Sequence, residues 1–173
     1  ESKNVKMEDN KIEVSYIPTI QVLLIGATPV SKYLAQLATN LGFIVKLCET
    51  RKLFLDNLKY EGENSNFELS ELSSDLFVQN NVDKYTAVLV LAHDPSIDDS
   101  AVSSALSSNS FYIGAIGSQK NCDKRILRLK QKGFNDGLIS KLHAPIGLGI
   151  NSKTPDEIAH SIIAQLISLK PTL

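Results

Sequence analysis

Two kinds of hydrophobic pattern alternate along this chain. An unbroken apolar run at 22–25 and largely apolar stretches at 43–48, 86–91 (TAVLVL) and 111–116 read as strands, those at 22–25 and 86–91 buried on both faces. Between them, apolar residues recur three and four apart, as one face of a helix does. Val30, Leu34, Leu37, Ala38 and Leu41 form such a stripe, opened by Thr28-Pro29 as cap and first helical residue and closed by Gly42. A second stripe runs through 98–108 on Ala101, Val102, Ala105 and Leu106, and a third follows Ser118 on Cys122, Ile126 and Leu129. The last begins at Thr154-Pro155-Asp156-Glu157, a capping box, and carries Ile158, Ala159, Ile162, Ile163, Leu166 and Ile167.

The remaining stretches are less regular. Residues 1–19 read as a polar tail with a short edge strand near 14–17, ahead of a single domain over 20–173. A short helix is expected at 53–58, a short strand at 76–78, and a last strand and turn at 144–150 (APIGLGI). Residues 61–75 hold five acids and no lysine or arginine, the composition of a solvated connection at a sheet edge.

The order strand, glycine turn, helix, strand, acidic residue is the opening unit of a dinucleotide-binding fold. It predicts an α/β, Rossmann-like, doubly wound parallel sheet with helices on both faces. Glu49 lies 23 residues after Gly26, near the spacing at which an acid meets a ribose hydroxyl. The glycine fingerprint is nevertheless altered: Gly26-Ala27-Thr28-Pro29-Val30-Ser31 keeps only its first glycine. Thr28 obstructs the backbone approach to a pyrophosphate and can cap the helix itself, and Pro29 removes an amide donor. The scaffold is therefore predicted, with NAD(P) binding left open.

In such sheets ligands sit beyond the carboxyl ends of the strands, where strand order reverses. That rule places His93 and Asp94 at the same mouth as Gly26 and Thr28. A histidine beside a carboxylate can bind a polar ligand or move protons, although Asp98 or Asp99 could equally be a helix cap. The strand at 111–116 delivers Gly117, Ser118 and Lys120 to the same edge, where amides, a hydroxyl and a cation could hold an oxyanion.

Charge and cysteines narrow the field. The net charge is −1, and the basic series Lys120, Lys124, Arg128, Lys132 has no interleaved aromatic residues, so no nucleic-acid partner is expected. No apolar run reaches the ~20 residues of a membrane span. Cys48 and Cys122 make no disulfide framework and read as packed residues, which points to a cytoplasmic setting. Neither a metal-ligand cluster nor a catalytic constellation is found. The chain opens on Glu1 rather than methionine, as a fragment or a processed product would.

Five segments in order, LLIGATPVSKYLAQLATNLGF, CETR, AHDPSIDD, YIGAIGSQK and PIGLGINSKTPDEIAHSI, resemble the Rossmann domain of the XdhC/CoxI family, accessory factors for xanthine and carbon monoxide dehydrogenases. The family's acid-x-Arg is similar to Glu49-Thr50-Arg51, and its T-H-D element with a downstream aspartate resembles Ala92-His93-Asp94 and Asp98. Its Y-x-G-x-x-G-S turn is similar to Tyr112, Gly114, Gly117 and Ser118. The resemblance implies binding of the molybdenum cofactor (molybdopterin), a pterin carrying a phosphate, without turnover. It implies delivery to a molybdenum hydroxylase such as xanthine dehydrogenase, with a cysteine desulfurase and a second copy of the chain as further partners. The site residues carried over are Gly26, Ala27, Thr28, Glu49, Arg51, His93, Asp94, Asp98, Gly117, Ser118 and Lys120. An NAD(P)-dependent oxidoreductase, or an interaction module with a degenerate pocket, stands as the alternative.

Overall fold

The computed structural model describes residues 2–8, 11–60 and 67–172. Strands β3 (Gln21–Ile25), β4 (Ile44–Cys48), β5 (Glu68–Ser70), β6 (Thr86–Val90), β7 (Tyr112–Ala115) and β8 (Leu142–His143) form one sheet in the order β5-β4-β3-β6-β7-β8. All its pairings are parallel. The chain winds outward from β3 to β5, returns to β6 on the other side of β3, and winds outward again to β8. This is the predicted doubly wound architecture, and its switch point lies between β3 and β6.

Alternation along the strands divides the core into two layers. Val22, Leu24, Val45, Leu47, Ala87 and Leu89 pack on one face against α1 (Pro29–Asn40) and α7 (Pro155–Leu169). Leu23, Ile25, Cys48, Val88, Val90 and Ile113 pack on the other against α3 (Ser74–Asn81), α4 (Pro95–Leu106), α5 (Gln119–Gln131) and α6 (Asp136–Ile139). A strand buried on both faces needs apolar side chains at every position, hence the unbroken runs. The further helix α2 (Lys52–Tyr60) follows β4. Among the described residues no helix is long and apolar enough to cross a membrane.

Several local expectations are corrected. Residues 76–78 lie in α3, not in a strand: Phe77 and Val78 face the core while Leu76 is exposed. The edge strand is β5, within the stretch whose composition suggests a solvated connection, of which 61–66 lie outside the described residues. Residues 144–150 form a loop after β8; Ile146 makes one backbone bond to Ala115 and fills the space over Gly114. Helix α4 starts at Pro95, three residues earlier than its apolar stripe suggests, because Asp94 caps it. At the amino end, β1 (Ser2–Glu8) and β2 (Lys11–Ile17) pair with each other as an antiparallel hairpin rather than forming a tail with a short edge strand.

Gly26 sets how closely the two halves of the sheet meet. It has φ 101°, and a Cβ there would lie 2.4 Å from the Cα of Ala92, just beyond β6. The contact is backbone against backbone, so neither partner can move aside. Gly26→Ala is expected to cost on the order of 3 kcal/mol, from the left-handed backbone and the clash together. Urea unfolding measures this; a loss below about 1 kcal/mol would show that the two strand ends can separate.

Candidate functional site

The loop after β3 satisfies itself. Thr28 caps α1, its hydroxyl accepting from the Ser31 amide, while the Ser31 hydroxyl accepts from the Thr28 amide and donates to the Gly26 carbonyl. Pro29 occupies the first helical position and has no N–H to offer. The Ala27 amide donates to Glu49 Oε2 at 2.8 Å. The Ala27, Thr28 and Ser31 amides, which would face a pyrophosphate in an open glycine loop, are thus engaged within the chain.

Glu49, 2% exposed, takes up the other bonds at this corner. Its Oε1 accepts from the amides of Thr50 and Arg51 and from Arg51 Nε, and its Oε2 also accepts from Arg51 Nη2 at 2.6 Å. Burial alone would raise its pKa, but the bonds from Arg51 and the Ala27 amide outweigh burial and hold the carboxyl below its ordinary range. Arg51 then reaches across the switch point, Nη1 donating to the Ala92 carbonyl at 3.0 Å, with its guanidinium carbon 4.1 Å from the Phe54 ring centroid. Glu49 and Arg51 therefore join the loop after β3 to the ends of β4 and β6.

His93 and its neighbours divide into different roles. His93 has φ 58°, a left-handed backbone uncommon for a residue with a side chain, and its ring is exposed. The ring has no hydrogen-bond partner among the described residues. Partial desolvation, then the charges of Arg125 and Arg51, lower its pKa, so near neutral pH the imidazole is uncharged and offers both a donor and an acceptor. The Asp94 carboxylate caps α4, accepting from the amide and hydroxyl of Ser96. Asp98 is 2% exposed and accepts from Arg125 Nη2 at 2.9 Å through Oδ2, while its Oδ1 has no hydrogen-bond partner among the described residues.

A buried ion network underlies this corner. Arg125, 4% exposed, bonds Asp98, Asp99 and the Ile116 carbonyl, and Arg128 bonds both oxygens of Asp99. It joins α4 to α5 and to the end of β7. Arg125 carries no local signal in the sequence, because its partners lie 27 and 26 residues away and only the fold brings them together. Arg128, a member of the basic series in the sequence, is committed to Asp99.

Gly117 and Ser118 stand at the start of α5. Gly117 has φ 153°, and a Cβ there would lie 3.9 Å from Arg125 Nη1; the Ser118 hydroxyl accepts from the Asn121 amide at 3.4 Å. Lys120 is exposed in the first turn. Both cysteines are packed. Burial, with Glu49 nearby, pushes Cys48 up to about 12, and burial also raises Cys122, so neither presents a thiolate at neutral pH. Among the described residues no three His, Cys, Asp or Glu side chains converge as a metal ion would need.

The open space at this edge lies toward β4. A cleft of about 320 Å³ has Gly26, Cys48 and Glu49 among its lining, with Ser73 and Asp75 at the start of α3 and Ser96 from α4. Its α3 wall has no signal in the sequence, since the composition of 61–75 is that of a solvated connection.

Fold and mouth together define a Rossmann-type domain whose glycine loop is closed on itself and whose polar groups gather at the strand ends. The XdhC Rossmann domain matches residues 22–166, and the chain belongs to that family. It is 22% identical over 161 residues to the molybdenum cofactor insertion chaperone PaoD of Escherichia coli, covering 93% of this chain and 43% of that protein. It is 27% identical over 153 residues to a probable xanthine dehydrogenase subunit from Bacillus subtilis, covering 88% of this chain and 44% of that protein. A crystal structure of a xanthine dehydrogenase from Bacillus halodurans superposes with a TM-score of 0.71 at 27% identity, covering 95% of this chain and 47% of that one. The chain thus spans less than half the length of these relatives.

The network predicts a pH dependence. Burial raises Asp98 from the ordinary 3.8 to about 6, against the pull of Arg125. A carboxyl raised by folding stabilises the fold below its unfolded pKa, and that contribution is lost as pH rises through about 6. Asp98→Asn is expected to remove a decline on the order of 3 kcal/mol between about pH 4 and pH 7. Urea unfolding across that range reads the slope; parallel curves for both proteins would show that Asp98 does not titrate there.

Proposed function

We propose that this domain is the Rossmann part of an accessory factor for maturation of xanthine-dehydrogenase-type molybdenum enzymes, and that it holds the organic portion of the molybdenum cofactor for hand-over. The observation that carries the reading is His93: a left-handed residue at the switch point, its ring exposed and unpartnered among the described residues. Strained backbone of this kind persists where the surroundings over-determine it, and it clusters at ligand sites. The name of the Escherichia coli relative supports the same reading.

The residues present suit a phosphate-bearing heterocycle. His93, Ser118, Lys120 and the first-turn amides of α5 would hold the phosphate, with Gly117 giving the backbone room to approach. Arg51 would orient the mouth through its bond to the Ala92 carbonyl. Glu49 and Asp98 act by positioning, because their oxygens are engaged by the protein or buried, and Asp94 acts as the cap of α4 through Oδ1. Gly26, Ala27 and Thr28 shape the wall. The bound group supplies its molybdenum to the client's redox chemistry; this chain binds, orients and releases it.

Isothermal titration with the molybdenum cofactor tests the assignment. His93→Ala and Lys120→Ala are each expected to weaken binding about tenfold, the loss of one good hydrogen bond or charge contact. Asp94→Ala should instead cost about 1 kcal/mol of stability as a lost cap, with affinity within about twofold of the original. Failure of the unaltered domain to bind the cofactor would overturn the reading.

A further inference from the structure

We infer that the cleft between β4, α3 and α4 is a subsite for an uncharged planar heterocycle bearing N–H donors, and that it excludes phosphate. This deepens the function proposed above and rests on it, since His93 would then hold the anionic end of the same ligand. Ser96 on the cleft wall lies in the first turn of α4, the helix that His93 and Asp94 lead into.

The lining determines the chemistry. Among the described residues no lysine, arginine or histidine borders the cleft, whereas Glu49 and Asp75 do. Glu49 is neutralised by Arg51. Asp75 is ionised, held below the ordinary carboxylate range by the Ser73 hydroxyl and the Leu76 amide. A phosphate placed here would meet a carboxylate with no lysine, arginine or histidine on the cleft wall to offset the like charges. A neutral ring with amino and ring N–H groups would meet acceptors instead: Asp75 has lone pairs to spare, Ser96 can accept while its O–H is held by Asp94, and Thr50 and Ser100 can each donate or accept. Ile97 and Cys48 supply apolar contact for the ring. The volume of about 320 Å³ lies at the small end of the range for ligand pockets, enough for a ring system and too little for a whole dinucleotide.

Both pterins and adenosine have this chemistry, so the experiment separates them. Free pterin, adenosine, inorganic phosphate and the molybdenum cofactor are titrated into the unaltered domain and into Ser100→Phe, Asp75→Asn and His93→Ala. Ser100 is half-buried on the cleft wall, where a phenyl ring would fill the space. Thermal melts without ligand check that each variant folds, and Asp75→Asn keeps the test open if Ser100→Phe does not. The expected result is that pterin binds without phosphate, at least tenfold more weakly in Ser100→Phe and Asp75→Asn and unchanged in His93→Ala. Adenosine binding with the same sensitivities, and pterin not binding, would support the subsite but replace the cofactor reading with a nucleotide. Cofactor binding that depends on His93 while neither ring binds, or while Ser100→Phe has no effect, would overturn the subsite and leave the cofactor reading intact. If nothing binds, both fall.

Discussion

The mouth of this domain depends on one carboxylate taken out of water. Removing a charge of this size from solvent costs several kcal/mol, recovered only when each lone pair meets a donor in good geometry. Glu49 meets that condition with donors from different strands: the Ala27 amide beyond β3, the Thr50 and Arg51 amides beyond β4, and the guanidinium of Arg51, which also reaches the Ala92 carbonyl beyond β6. Gly26 lies against Ala92 at the same point, in a contact that admits no side chain. The ends of the central strands are therefore held in one arrangement before any ligand arrives, the preorganisation a binding site needs. The corner that meets a ribose in dinucleotide-binding relatives of this fold is here filled from within.

Much of this is legible in the sequence, and the exceptions have physical causes. Runs such as VLLI and TAVLV suit only strands buried on both faces, and the Thr-Pro starts of α1 and α7 cap those helices as their residues require. Strand-end placement brings His93 to the switch point, although nothing local announces its left-handed backbone. β5 escapes a pattern reading because a three-residue edge strand with exposed and half-buried positions leaves almost no periodic trace. Asp94 reads as a ligand because it adjoins His93, yet Asp-Pro is as good a helix start as the Thr-Pro pairs, and capping is the role it takes. Arg125 is invisible for a different reason. A buried ion network is a property of packing, and its members are scattered along the chain until α4 and α5 meet.

That network also determines which charges remain for a ligand. Arg51 is balanced by Glu49, Arg125 by Asp98, and Arg128 by Asp99, each at hydrogen-bond distance. Paired so closely, these cations shape the mouth without giving it a strong positive field. What faces outward is Lys120, an exposed lysine in the first turn of α5, and the ring of His93, whose pKa is lowered by partial desolvation and by the charges of Arg125 and Arg51. An anionic group would thus be held by a few positioned donors rather than by bulk charge. In the proposed hand-over this division has a consequence in energy. Direct hydrogen bonds are worth about 1 kcal/mol each after the exchange with water, so a small set orients a ligand while leaving it able to depart. A mouth lined with unpaired arginines would retain a phosphate far longer. With its arginines committed to its own carboxylates, the chain has a rigid strand-end corner, and a ligand held there as proposed would be gripped only modestly.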